Sequence, residues 1–222
     1  TSVVDAQTHT YATAGTYDVS VTAASGQIAF ANTGDKAKLL DISSWGGCTW
    51  TSVLNMFYGC SNLATISATD SPDLSGVTRM VSTFRGCSTL ECDINHWDVS
   101  SLSGDSLYYT FYLCTLFNSP LNNWDVSGVD ALYGTFQECS NFNQPLNNTW
   151  NKSWSGRFYN TFNNTTSFNQ DLSGWDVSSV TDMSGMFQGS AISGSLLNWD
   201  VSSVTTMYGM FSFSGSNPDI SA

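Results

Sequence analysis

The chain has little positive charge. Its 222 residues include 6 Lys and Arg against 18 Asp and Glu, a formal net charge of −12. Beyond Arg85 the only cations are Lys152 and Arg157. The basic footprint that nucleic acid or an anionic membrane surface requires is missing. No apolar run approaches the roughly 20 residues that cross a bilayer as a helix. There are only 2 His. No HExxH, CxxC, Ser-His-Asp set or phosphate-binding glycine loop occurs, so nothing points to an enzyme. The sequence starts at Thr1 without a signal peptide, and reads as a mature processed chain or a fragment. Apolar and aromatic residues are plentiful, at 41% and 14%. That suffices for a sizeable core and excludes wholesale disorder.

Internal repetition is plain. Trp175-Asp-Val-Ser-Ser-Val-Thr-Asp-Met-Ser-Gly-Met-Phe187 returns as Trp199-Asp-Val-Ser-Ser-Val-Thr-Thr-Met-Tyr-Gly-Met-Phe211. Weaker copies start at Trp97, Trp124 and Trp150. The closing aromatics are Phe57, Phe84, Phe111, Phe136, Phe162, Phe187 and Phe211, with steps of 27, 27, 25, 26, 25 and 24. A period near 26 means stacked repeats. Leu172, Trp175, Val177 and Val180 have the spacing of a leucine-rich-repeat strand, with Trp and Val on one side. Val180, Met183 and Phe187 read as a helical stripe. Ser178 and Ser179 are candidate N-caps, and Gly59, Gly86 and Gly189 candidate helix ends. The expected fold is an α/β repeat: a curved leucine-rich-repeat-like solenoid of about seven strand–short helix coils over residues 36–222. Strands should line the concave face, because stacked strands sit closer than packed helices. Residues 1–35 fall outside the repeat. His9–Val21 alternates and reads as one strand of a β-hairpin cap, with Gln27–Ala31 as its partner.

The stretch Phe168-Asn-Gln-Asp-Leu-Ser-Gly-Trp-Asp-Val-Ser-Ser-Val-Thr-Asp-Met-Ser-Gly-Met-Phe187 resembles the surface-protein repeat of mycoplasma lipoproteins and Listeria surface proteins. That family is grouped with BspA-like leucine-rich repeats. The resemblance covers roughly residues 40–215 and weakens at Trp150-Asn-Lys-Ser-Trp154. His9–Val21 is similar to the last strands of polycystic-kidney-disease-type surface modules. The resemblance implies an extracellular repeat protein for display, adhesion or scaffolding, and no catalytic residues.

Several residues are candidates for a role on the surface. With Trp and Val inward, Asp98, Asp125, Asp176 and Asp200 face out and stack as like charges. Two readings stand side by side. Each Asp bonds the Ser backbone N–H groups of its own turn, or the column holds Ca²⁺ through carboxylate oxygens. His96, Asn123 and Asn198 flank this column on the candidate concave face, where a receptor or glycan would bind. Asn147, Asn151, Asn163 and Asn164 head Asn-x-Ser/Thr sequons. Asn163 and Asn164 adjoin, which disfavours modification of both. Cys60, Cys87, Cys114 and Cys139 each follow the closing Phe by three residues, where later coils have Thr165, Ser190 and Ser214. Helix packing would set such thiols about 8–10 Å apart, too far for a disulfide. They should be buried and unpaired, leaving Cys48 and Cys92 as the other candidates for a bridge.

Two function classes remain. One is a structural subunit of a coat, appendage or filament; the other is an adhesin. Both place the chain outside the cell, on a cell or virion surface, with no nucleic acid and no direct membrane insertion. The monotonous outward Asn, Asp, Ser and Gly tilt the reading toward a scaffold. The last coil keeps Val201, Val204, Met207 and Phe211, an assembly edge for a head-to-tail copy or another surface protein. Pro218-Asp-Ile220 resembles the start of a further coil, so truncation of a longer array is the competing reading.

Overall fold

The computed structural model describes residues 10–194, 196 and 198–215. It overturns the strand–helix coil. No α-helix occurs among the described residues, and the only strands are β1 (Ser25–Gly26) and β2 (Thr49–Trp50), paired in parallel. Single-turn 3₁₀ segments sit at Lys36–Lys38 and Asn148–Trp150. Everything else is turns and extended connections. Without helices, the difference in packing distance that implied a concave strand face is gone.

Order comes instead from layers that repeat every 24–27 residues. Around each closing Phe the backbone makes two sets of hydrogen bonds. One set stays within the layer and closes turns: Met56 N–H to Val53, Tyr58 N–H to Asn55 and Cys60 N–H to Phe57. The other set crosses to the next layer: Asn55 N–H to Val81, Phe57 N–H to Thr83 and Gly59 N–H to Arg85, at 2.8–3.1 Å. Later layers repeat both sets, as with Phe136 N–H to Thr161 and Glu138 N–H to Asn163. Alternate N–H groups thus point along the chain and along the stack, and the backbone is satisfied without helix or sheet.

This arrangement requires positive φ two residues before and two residues after each closing Phe. The earlier position holds Asn55, Ser82, Tyr109, Gly134, Asn160, Gly185 and Gly209; the later holds Gly59, Gly86, Leu113, Glu138, Asn164, Gly189 and Phe213. The Gly-x-Phe-x-Gly pattern is a pair of left-handed turn positions, where glycine and asparagine fit best. Gly59, Gly86 and Gly189 therefore shape turns and do not end helices.

Side chains stack in columns. The closing phenylalanines form a ladder from Phe57 to Phe211 with ring centroids 5.4–5.8 Å apart. Phe117, Phe142 and Phe168 form a second ladder at 6.0–6.1 Å. Trp124, Trp150, Trp175 and Trp199 each donate an indole N–H to a carbonyl one layer back, at Ile94, Leu121, Leu146 and Leu172. Buried threonines do the same: Thr110, Thr135 and Thr161 reach Met80, Leu107 and Leu132. The core is one continuous apolar column from Trp45 to Met210.

The hairpin cap is also corrected. All bridges among the described residues are parallel and join residues 23–25 apart. Phe30 N–H bonds the Met56 carbonyl and Asn32 N–H the Tyr58 carbonyl, as one layer bonds the next elsewhere. Phe30 lies 27 residues before Phe57, so Gln27–Ala31 belongs to an additional layer. Thr10–Val21 is exposed and holds no strand; Tyr17 instead stacks on Tyr11 at 4.0 Å. His9 and Pro218–Ile220 lie outside the described residues.

Candidate functional site

The aspartate face keeps its inward–outward alternation without being a strand. Trp97 and Val99 are buried and Asp98 between them is exposed; Trp124 and Val126 are buried around a half-buried Asp125. Each carboxylate accepts a backbone N–H two residues on: Ser100 for Asp98, Ser127 for Asp125, Ser178 for Asp176 and Ser202 for Asp200, at 2.9–3.1 Å. Asp73 and Asp171 make the same turn with Ser75 and Ser173. These bonds hold the carboxyl groups below the ordinary range. For Asp98 the Ser100 hydroxyl acts most strongly, and for Asp125 the Ser127 N–H. For Asp176 the leading donor is the Ser153 hydroxyl of the layer before. The stacked charges oppose this, Asp98 raising Asp125 and Asp176 raising Asp200. Asn151 is exposed but lies outside the column: it faces Gly174, and Ser153 pairs with Asp176. Among the described residues no three His, Cys, Asp or Glu side chains gather closely enough to hold a metal ion. His96, Asn123 and Asn198 are exposed along the same edge, and the Asn95 side chain ties down the Asn123 N–H.

A second face carries chemistry the sequence reading missed. Tyr108, Tyr133 and Tyr159, each three residues before a closing Phe, stack at 4.5 and 4.8 Å. Beside them Tyr109 packs edge-on against Tyr133 and 5.1 Å from Tyr112. Arg85 follows Phe84 as Tyr58 follows Phe57 and Tyr112 follows Phe111. Its guanidinium lies 4.7 Å from the Tyr58 centroid, 5.0 Å from Tyr112 and 5.1 Å from Tyr109. The signal was available: Tyr recurs three residues before Phe111, Phe136, Phe162 and Phe211. It is overlooked when only the buried stripe is read.

Against known families, residues 27–106, 51–156 and 105–222 match the model of a family described as Mycoplasma protein of unknown function, DUF285. Together these stretches span 27–222. The chain belongs to the DUF285 family. That description fits a mycoplasma or bacterial surface repeat protein and assigns no activity. The leucine-rich-repeat and polycystic-kidney-disease resemblances form no part of the match. No curated protein and no solved structure matches the chain.

The DUF285 match opens at residue 27, close to the additional layer at Phe30. Within its layers the cysteine slot has a definite chemistry. Cys87, Cys114 and Cys139 point their thiols at the Phe57, Phe84 and Phe111 carbonyls, and Thr165 does the same to Phe136 through its hydroxyl. The slot takes a small donor. All six cysteines are free, four of them buried. Helix spacing does not keep the thiols apart: Gly86 N–H reaches the Tyr112 carbonyl at 2.7 Å, so neighbouring layers stand at backbone hydrogen-bond spacing. Burial raises the Cys60 and Cys92 thiols to about 12 and those of Cys87, Cys114 and Cys139 well above the usual range.

The sequons divide. Asn147, Asn151 and Asn164 are exposed. Asn163 is 6% exposed, and its side-chain nitrogen donates to Asn160 and Gln188, which leaves no room for a glycan. In the last described layer Val201 and Met207 are exposed, while Val204 and Phe211 are half-buried against the core. Their counterparts one layer back, Val177, Met183, Val180 and Phe187, are buried.

Proposed function

We propose that this DUF285 chain is a non-enzymatic, extracellular repeat protein with a structural role at a cell or virion surface. One observation carries this reading: many of the polar side chains among the described residues hold turns and layers together. Many Ser, Thr, Asn and Asp side chains, the residues a catalytic site would draw on, bond the backbone of their own turn or of the layer beside it. The Asn ladder is typical, with Asn143 N–H on the Asn118 side chain, Asn169 N–H on Asn143 and Ser193 N–H on Asn169. No helix of the described residues is long and apolar enough to cross a membrane. A head-to-tail copy is the partner that fits the uncovered layer at Val201 and Met207, since layers repeat the same hydrogen-bond geometry.

Protease treatment of intact source cells tests the reading. Loss of the chain without lysis is expected; full protection until lysis overturns an extracellular location. Electron microscopy of the native material tests the structural role, with polymers or a regular coat as the expected result. An adhesin is the second reading, and the tyrosine–arginine face favours it.

A further inference from the structure

The structure assigns to Arg85 and its three tyrosines a binding site for the carboxylate of an acidic sugar. The inference extends the adhesin reading and needs no particular assembly state.

Arg85 is one of six cations on a chain of net charge −12, and it is half-buried. Three rings hold it, from the layer before and the layer after. Packing over aromatic rings leaves the in-plane N–H fork of a guanidinium free to donate. Among the described residues no carboxylate pairs with Arg85 and no acceptor takes a hydrogen bond from its side chain; the ion pair present is Lys38–Asp35. A guanidinium without a protein acceptor is the group that captures a planar carboxylate in two parallel bonds.

The surroundings are shaped as well. A Cβ on Gly134 would lie 2.3 Å from the Tyr109 ring, so only glycine lets that ring lie where it meets Arg85. On the other side, Gly59 and Gly86 stack next in chain to Tyr58 and Arg85, with Asn32 and Lys36 packed against Gly59. Lys36 lies over Gly59 with its ammonium on Asn32. Arg85 suits one carboxylate, while the net charge of −12 repels a polyanion. The half-buried rings of Tyr108 and Tyr133, beside Tyr109, suit a pyranose, whose C–H groups pack on rings.

Titration calorimetry on the purified chain at low salt tests the site with methyl glucuronide, methyl glucoside and acetate. Glucuronide should bind saturably, and glucoside and acetate should not saturate over the same range. Arg85→Gln should weaken glucuronide about tenfold or more, given the usual strength of charge-assisted pairs. Arg85→Lys keeps the charge over the rings but loses the fork, and should also bind weakly with the native melting temperature retained. Equal binding of glucoside overturns the charge recognition, and equal binding of acetate overturns the sugar. Unchanged affinity in Arg85→Lys overturns the fork, even if Arg85→Gln fails to fold. The assay does not involve cells, so its failure leaves the surface location to the protease experiment.

Discussion

Phe136 shows how much a single side chain carries here. Its ring is fully buried, 5.7 Å from Phe111, 5.5 Å from Phe162 and 4.3 Å from Phe142. Truncation opens a cavity between rings that the interlayer hydrogen bonds hold at fixed spacing, so collapse is hindered. Phe136→Ala should cost about 3–5 kcal/mol in urea unfolding. Polar residues act through pH. The Asp turns lower the folded pKa of Asp98, Asp125, Asp171, Asp176 and Asp200 below the ordinary 3.8. A group lowered on folding stabilises the fold above its unfolded value and loses that contribution as pH falls through the folded one. Melting temperature should therefore fall progressively below about pH 4. Replacing Ser178 by Pro removes the N–H donor to Asp176 and should shrink that acid dependence. The thiols give an independent check. Cys87, Cys114 and Cys139 should resist iodoacetamide at pH 8 in the native chain and react fully in denaturant, because buried, raised thiols expose no thiolate.

A layer is the element of this fold, and its contacts are to the layers on either side. Deleting residues 138–163 joins Gln137 to Asn164 and removes one full turn of the stack. The left-handed position after Phe136 is then filled by Asn164, which already adopts positive φ. Circular dichroism should show a folded chain with a modestly lower melting temperature, as expected of near-neighbour stability. Deleting 138–150 breaks the register and should unfold the C-terminal layers. The layer period was legible in the sequence because Phe and Trp recur at fixed spacing and are buried. Its local conformation was not. Val180, Met183 and Phe187 are spaced like a helix face, yet their segment is a run of turns: Val180 N–H to Val177, Met186 N–H to Met183, Ser190 N–H to Phe187. Turns that close over three residues bury every third or fourth side chain, as a helix does. The distinguishing evidence was the glycine pair around Phe187, Gly185 and Gly189, each of which would cost a helix interior about 1 kcal/mol. Phe30 was missed for a different reason: it lacks the Trp-Asp-Val strand of residues that marks later layers. The aspartate face was legible, since burial of Trp and Val sets it. The Arg85 cluster was not, because it joins three layers by position after Phe and not by any local motif.

At the scale of the whole molecule, charge and stacking compete. The Asp column invites a cation, but each carboxylate already accepts an N–H and, among the described residues, no three ligands converge. Melting in EDTA and in excess Ca²⁺ should coincide; a rise with Ca²⁺ would locate a site shared between layers or copies. The stack itself ends, within the described residues, on a layer whose Val201 and Met207 are 39% and 37% exposed and whose Tyr208 is 85% exposed. A second copy laid on that layer would extend the phenylalanine ladder beyond Phe211 and supply backbone partners to its carbonyls. Each copy carries a net charge of −12, so approach is opposed at long range. Salt screens that repulsion over about 8–10 Å near physiological strength, while an apolar contact is little affected. Association measured by analytical ultracentrifugation should therefore strengthen from low to moderate salt. Val204→Asp should abolish it at every salt concentration, by placing a charge among residues that pack on the core, while leaving the layers before Phe187 folded. A chain that remains monomeric at high concentration and moderate salt would rule out head-to-tail stacking.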